Sequence, residues 1–288
     1  MRQWKRIAVL AALLAVPFAV VGQDADEESP CAMCHDVVAA RMETTPHGLG
    51  SGELPECQSC HGDGIAHMDE GGDPELILVP TGAMGQDTCL RCHEAAMHRT
   101  LRTRGAHTTA RVYCTDCHQI HPGDEPGPQE ASLLQGPVNE LCVDCHQMVA
   151  RTFDRPFGHN LDRGGVDCVS CHDPHAGPGE RSLRLDHSGE GPCVTCHPGK
   201  RGPFVFPHVS GIVGGCTTCH EPHGSSNPVA LVRATVSQLC LECHSSFGNP
   251  TLGSQPPSFH NLRDPRYREC TSCHPAVHGS NTSPALRR

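Results

Sequence analysis

CVSCHDPH, residues 168–175, is the stretch from which the rest of this 288-residue sequence can be read. Two cysteines three positions apart are followed at once by histidine, and a second histidine comes three positions later. The arrangement recurs as CTDCHQIH at 114–121 and CTTCHEPH at 216–223. Each copy is followed by a stretch leading into another C-x-x-C-H: Leu133/Leu134 before CVDCH, Leu183/Leu185 before CVTCH, Leu231/Val232 before CLECH. Working outward, all twenty cysteines fall into such pairs: Cys31/Cys34, Cys57/Cys60, Cys89/Cys92, Cys114/Cys117, Cys142/Cys145, Cys168/Cys171, Cys193/Cys196, Cys216/Cys219, Cys240/Cys243 and Cys270/Cys273. A histidine follows every pair, namely His35, His61, His93, His118, His146, His172, His197, His220, His244 and His274.

An even cysteine count in an exported chain normally reads as a disulfide framework. Residues 1–22 do read as a secretory signal peptide, with Arg2, Lys5 and Arg6 ahead of an apolar run from Ile7 to Val21 and small residues at its end. That run is short for a membrane span, which needs roughly 20 apolar residues. The spacing nevertheless rejects disulfides, because no disulfide scaffold requires a histidine after each pair. C-x-x-C-H is the attachment motif of c-type haem: two thiols reach the two vinyl groups on one porphyrin edge, and the next residue brings an imidazole beneath the iron. Zinc sites join two short motifs into one four-ligand cage, iron–sulfur clusters take cysteines in fours, and thioredoxin-like pairs come singly. The expectation is ten covalently attached c-type haems, with the ten histidines as proximal ligands.

Twelve histidines remain, and ten are regularly placed. After each odd-numbered motif one follows at 11 to 16 positions (His47, His107, His159, His208, His260); after each even-numbered motif one follows at three to six (His67, His121, His175, His223, His278). The chain therefore divides into five two-haem units, at about 31–67, 89–121, 142–175, 193–223 and 240–278, making residues 23–288 one repeat array. Three extended residues span at most about 10–11 Å, too little to pass from the proximal face of a haem around to its distal face. His121, His175 and His223 are thus expected to serve a neighbouring haem. Ten proximal and ten distal histidines leave no iron with an open position, which suits electron transfer rather than substrate chemistry; the expectation is an electron carrier and not an enzyme. His98 and His187 have no place in the pattern and read as exposed or propionate-bonding residues.

Composition agrees. One Trp, two Tyr and seven Phe, against 55 Gly and Pro together, leave little for a conventional apolar core; ten macrocycles would supply that bulk. Loss of 1–22 removes three of the 22 basic residues and none of the 32 acidic ones, giving 19 against 32 and a balance of −13, which argues against nucleic acid as a partner. Residues 137–150 and 234–245 predict short helices, with Asn139 and Thr235 as caps. Connectors PGDEPGP (122–128), AGPGE (176–180) and PGKRGP (198–203) break regular structure. In the long 61–89 interval, Leu76 to Val79 are expected to pack inward. The fold class is a multihaem cytochrome c: mostly loops and short α-helices wrapped around a quasi-linear array of ten haems, with little β-sheet.

Ten C-x-x-C-H motifs, the CHxPH units and the ending CTSCHPAVHGSNTSPALRR (270–288) make the chain similar to the periplasmic decahaem cytochromes of the DmsE/MtrA family. The resemblance covers essentially all of the chain beyond residue 22. It implies a slender bis-histidine haem wire inserted into an outer-membrane β-barrel. Such a wire carries electrons between the periplasm and an extracellular cytochrome or reductase, in metal, mineral or dimethyl sulfoxide respiration, or in iron oxidation in the reverse direction. It also implies that the twenty histidines named above are the axial ligands. A freely diffusing periplasmic shuttle, a subunit of an extracellular haem filament and a multihaem reductase are the other readings, in that order.

Overall fold

The computed structural model describes residues 29–48, 57–93, 105–122, 133–161, 165–177, 179–185, 191–208, 215–244, 265 and 268–287. The expected signal peptide, His98, His187 and His260 lie outside them.

Local structure grows from the motifs. In eight of them the histidine backbone N–H donates to the carbonyl of the first cysteine at 2.8–3.0 Å, as His118 does to Cys114 and His172 to Cys168. The other two lie within the helices Cys57–His61 and Gly82–His93. One helical turn is what the spacing demands, since positions i, i+3 and i+4 share a face; both sulfurs and the imidazole then project to one side. The first motif makes this turn in its tighter form. The 3₁₀ helix Pro30–Met33 stops short of Cys34, which caps it at φ −114° and ψ −23° with its N–H on Cys31 O at 3.2 Å.

Odd and even motifs end differently. Among the odd ones, His35, His146 and His197 leave helical geometry (ψ 39°, 41° and 51°), and a new helix starts directly after each: Asp36–Met42, Gln147–Phe153 and Pro198–Lys200. The single helix expected over 137–150 is therefore two, Val138–Val143 and Gln147–Phe153. The break falls at the histidine whose ring must turn out of the helix surface. Residues 234–245 give Val236–Leu241, capped by Thr235: its Oγ1 accepts from Gln238 N at 3.3 Å while Gln238 Oε1 accepts from Thr235 N at 3.2 Å. Asn139 is not a cap of its own helix. It lies inside Val138–Val143, and its Oδ1 accepts from Cys168 N at 3.0 Å, tying one haem motif to the next.

After the even motifs the chain doubles back. Antiparallel bridges join His118 to Leu134, His172 to Leu183 and His220 to Leu231, so the leucine-bearing stretches run beside the proximal histidines. Each return passes through left-handed, non-glycine residues: Leu133, Arg181 and Ser182, Val229 and Ala230, and Leu286, with φ between 51° and 58°. Such conformations cost about 1–3 kcal/mol each and gather where a site holds them in place. The 76–79 stretch makes the same approach to His61, but Leu76 and Val79 are exposed, at 40% and 53%. The inward packing expected of them is replaced by a backbone contact, Leu78 N donating to His61 O at 3.2 Å.

Strand structure is slight, as expected. Phe206–Pro207 pairs antiparallel with Gly279–Ser280, and Phe157 bridges Ser225 in the same way one unit earlier. Both join the segment before an interval histidine to the segment after a close-following one. Among the described residues the buried apolar side chains are Leu90, Leu133 and Ala176, and the buried polar ones are Thr45, Ser225 and Ser280. Side chains alone thus make almost no core. No helix among the described residues is long and apolar enough to cross a membrane.

Candidate functional site

None of the twenty cysteines is joined in a disulfide, and none is deeply buried. Exposure follows the unit pattern: the second cysteine of every odd motif, Cys34, Cys92, Cys145, Cys196 and Cys243, is exposed. In the even motifs Cys60, Cys117, Cys171 and Cys219 are half-buried, and Cys273, in the last motif, is exposed.

Consecutive motifs bring their first cysteines together within each unit from the second onward. The Cys89 thiol lies beside that of Cys114, and likewise Cys142 beside Cys168, Cys193 beside Cys216, and Cys240 beside Cys270. In the first of these, proximity pushes the Cys89 thiol up and the Cys114 thiol down. Burial, followed by the neighbouring thiol, pushes Cys142 up to about 12 and Cys193 and Cys240 to about 11. Across unit boundaries Cys117 feels Cys145, Cys171 feels Cys196 and Cys219 feels Cys243. The attachment points therefore follow one another in chain order.

The histidines meet in twos. Ring centroids lie 5.7–6.3 Å apart in nine pairs: His35–His67, His47–His93, His61–His121, His107–His146, His118–His175, His159–His197, His172–His223, His208–His244 and His220–His278. Every pair joins a histidine of a C-x-x-C-H motif to one outside the motifs. A first-row metal–imidazole bond is about 2.0 Å, so an ion between two trans imidazoles sets their centroids about 6 Å apart. The spacing fits bis-histidine haem, and the two-by-two grouping does not fit a zinc cage: among the described residues no three His, Cys, Asp or Glu converge.

The pairing crosses units. His121 faces His61 of the unit before it rather than His118 of its own; His175, His223 and His278 do likewise with His118, His172 and His220. In the opposite direction His47, His107, His159 and His208 face the first motif histidine of the following unit. Each junction thus carries two reciprocal pairs, and His35–His67 closes the first unit on itself.

Backbone carbonyls aim the rings. His61 Nδ1 donates to Leu78 O at 2.8 Å, His172 to Arg181 O at 3.1 Å, His220 to Val229 O at 2.9 Å and His274 to Ala285 O at 2.5 Å. These acceptors belong to the doubled-back stretches, three of them at or beside the left-handed residues. His107, His159 and His208 donate to Pro174, Pro222 and Val277, at 3.2, 3.0 and 2.8 Å, and His67 to Asp73 at 2.8 Å. Pro174, Pro222 and Val277 are the residues immediately before His175, His223 and His278. An imidazole holding its Nδ1 proton on a carbonyl presents Nε2 as a metal ligand with its ring orientation fixed. Burial lowers the pKa of His47, His121, His175, His223 and His278, which favours the neutral form that binds metal. The repeated PH of CHxPH was the available sequence signal for the carbonyls beside the close-following histidines.

Residues 107–151, 159–202 and 208–249 match the doubled CXXCH motif family. Those boundaries sit one motif out of register with the units read from the sequence: each begins at an interval histidine and contains the motif histidine it faces, His107 with His146, His159 with His197, His208 with His244. The chain is also 30% identical over 273 residues to the multiheme cytochrome MtrA of Shewanella baltica (strain OS185), an alignment covering 87% of this chain and 78% of that protein. Motifs, imidazole pairs and short-helix architecture define a multihaem electron-transfer cytochrome with covalently bound c-type haem. Within that class the chain belongs to the MtrA family.

Proposed function

We propose that the chain carries ten c-type haems, one on each C-x-x-C-H motif, and serves as a periplasmic electron conduit rather than an enzyme. The proximal ligands in this reading are the ten motif histidines. The distal ligands, in the order of the haems they serve, are His67, His121, His47, His175, His107, His223, His159, His278, His208 and His260. The observation that carries it is the set of nine imidazole pairs at 5.7–6.3 Å; His260, outside the described residues, is assigned to the last haem by elimination. Haem held in this way supplies reversible one-electron chemistry at a six-coordinate iron. The chain's own part is positional. Paired imidazoles would hold each haem from both sides and so leave no place for a substrate, reciprocal pairs lock each unit to the next, and the cysteines keep the attachment points in chain order.

The conduit in this reading sits in an outer-membrane β-barrel and exchanges electrons with other multihaem cytochromes in extracellular respiration, after export on residues 1–22. Kinship to MtrA over 87% of the chain supports this placement. The test is purification of the tagged protein from native membranes, with haem counted by the pyridine haemochrome assay and spin state read by EPR. Ten low-spin haems and stoichiometric co-elution of a β-barrel are expected. Elution as a lone soluble protein makes it a shuttle, fibres in electron micrographs make it a filament subunit, and a five-coordinate high-spin iron makes it a reductase.

A further inference from the structure

One imidazole pair departs from the other eight in two independent respects. His47 and His93 stand edge to face at 88°, whereas the others lie between 11° and 48°. In seven of those eight, one imidazole donates its Nδ1 proton to a described backbone carbonyl, and in the eighth His118 is itself partnered and the Asp173 carboxylate lies 3.7 Å from His175 Nδ1. His47 Nδ1 is buried and has no hydrogen-bond partner among the described residues.

The repeat shows what is missing. The other interval histidines reach the carbonyl just before the close-following histidine of the next unit. By that register His47 would reach Ile120, ahead of His121; it does not. A tight turn at the end of Asp36–Met42 fixes it instead. Thr45, fully buried, donates from Oγ1 to Met42 O at 2.8 Å, and Gly48 N closes the turn on Thr45 O at 2.9 Å. A Cβ on Gly48 would run into the Met42 carbonyl. The backbone around His47 is thus held by its own unit, and its Nδ1 meets no carbonyl of the next one among the described residues.

We propose that the haem attached at Cys89 and Cys92 is the electronically distinct site of the array, its axial imidazoles from His47 and His93 crossed and its distal imidazole without a carbonyl acceptor. This rests on the bis-histidine reading above. Near-parallel imidazole planes split the two iron d orbitals that mix with the ring π systems and give a rhombic low-spin EPR spectrum. Crossed planes leave those orbitals nearly degenerate and give a single signal at much larger g. A ligand whose N–H meets no acceptor pushes less electron density onto iron, which raises the reduction potential relative to the anchored sites.

The test is low-temperature EPR of the oxidised holoprotein during a redox titration. A large-g signal from about one haem in ten is expected, lost at higher potential than the bulk of the rhombic signals. His47→Met should abolish it with the haem count unchanged, and His208→Met should leave it in place. Should His47→Met fail to load ten haems, Thr45→Val removes the turn's hydroxyl hydrogen bonds at similar volume and should shift the large-g feature alone. A wholly rhombic low-spin spectrum, a large-g signal indifferent to both changes, or one lost at lower potential than the rest overturns the proposal while leaving bis-histidine ligation standing. High-spin iron in the unaltered protein would instead overturn the ligation on which it rests.

Discussion

His107 donates from Nδ1 to the Pro174 carbonyl, 67 residues along the chain, at 3.2 Å. The next residue, His175, lays its ring 5.9 Å from His118, while the His107 ring lies 6.1 Å from His146. One short contact therefore joins two axial pairs of adjacent units that face in opposite directions.

Alanine at His107 removes the carbonyl contact and one axial imidazole together. The expected outcome is one high-spin site at unchanged haem content, seen by EPR, and unfolding free energy lower by about 1–3 kcal/mol. An all-low-spin spectrum would contradict the pairing of His107 with His146.

Gly224 and Gly279 follow His223 and His278 at φ +128° and +140°, where L side chains are strained. A Cβ would strike the Thr152 carbonyl at the first and the Phe204 ring at the second. Gly224→Ala and Gly279→Ala are each expected to cost about 1–3 kcal/mol and to displace the EPR lines of the neighbouring pair. Thermal melts of the holoprotein check this, and an unshifted melting temperature counts against it.

Asn139 and Thr235 each satisfy a backbone N–H at the start of a haem-bearing helix, Cys168–Cys171 and Val236–Leu241. Asn139→Ala and Thr235→Ala should each lower stability by about 1 kcal/mol with haem count and spectra unchanged, whereas Thr235→Ser should be nearly neutral. Denaturant titration of the holoproteins measures all three.

The chain made without haem attachment should show no cooperative unfolding transition. Its buried apolar side chains among the described residues are Leu90, Leu133 and Ala176, far short of the core that independent stability requires, and cofactor binding then supplies the folding free energy. Calorimetry and limited proteolysis of the unattached chain are the measurements; a sharp melt would refute the expectation.

The cysteine and histidine spacing alone determined the class of protein, the motif turns, the short helices with little sheet and the rejection of disulfides. These are local consequences of positions i, i+3 and i+4 sharing a helical face, and Thr235 was legible as a cap because its hydroxyl accepts from a backbone N–H at the helix start. Sequence also excluded His121, His175 and His223 from their own motifs, because three residues cannot reach around a macrocycle. It could not say which imidazole each would face, since that depends on how units stack and not on distance along the chain. Tertiary structure decided the reciprocal pairs, turned Asn139 from a cap of its own helix into a cap on Cys168, and made Leu78 useful through its carbonyl rather than its side chain. It also left Cys34 and its odd-motif counterparts exposed while half-burying most of the even-motif ones, and set His47 and His93 at right angles. Ring orientation is fixed by which backbone oxygen lies within reach of Nδ1, and those oxygens come from residues of unremarkable identity, brought near only when the chain folds.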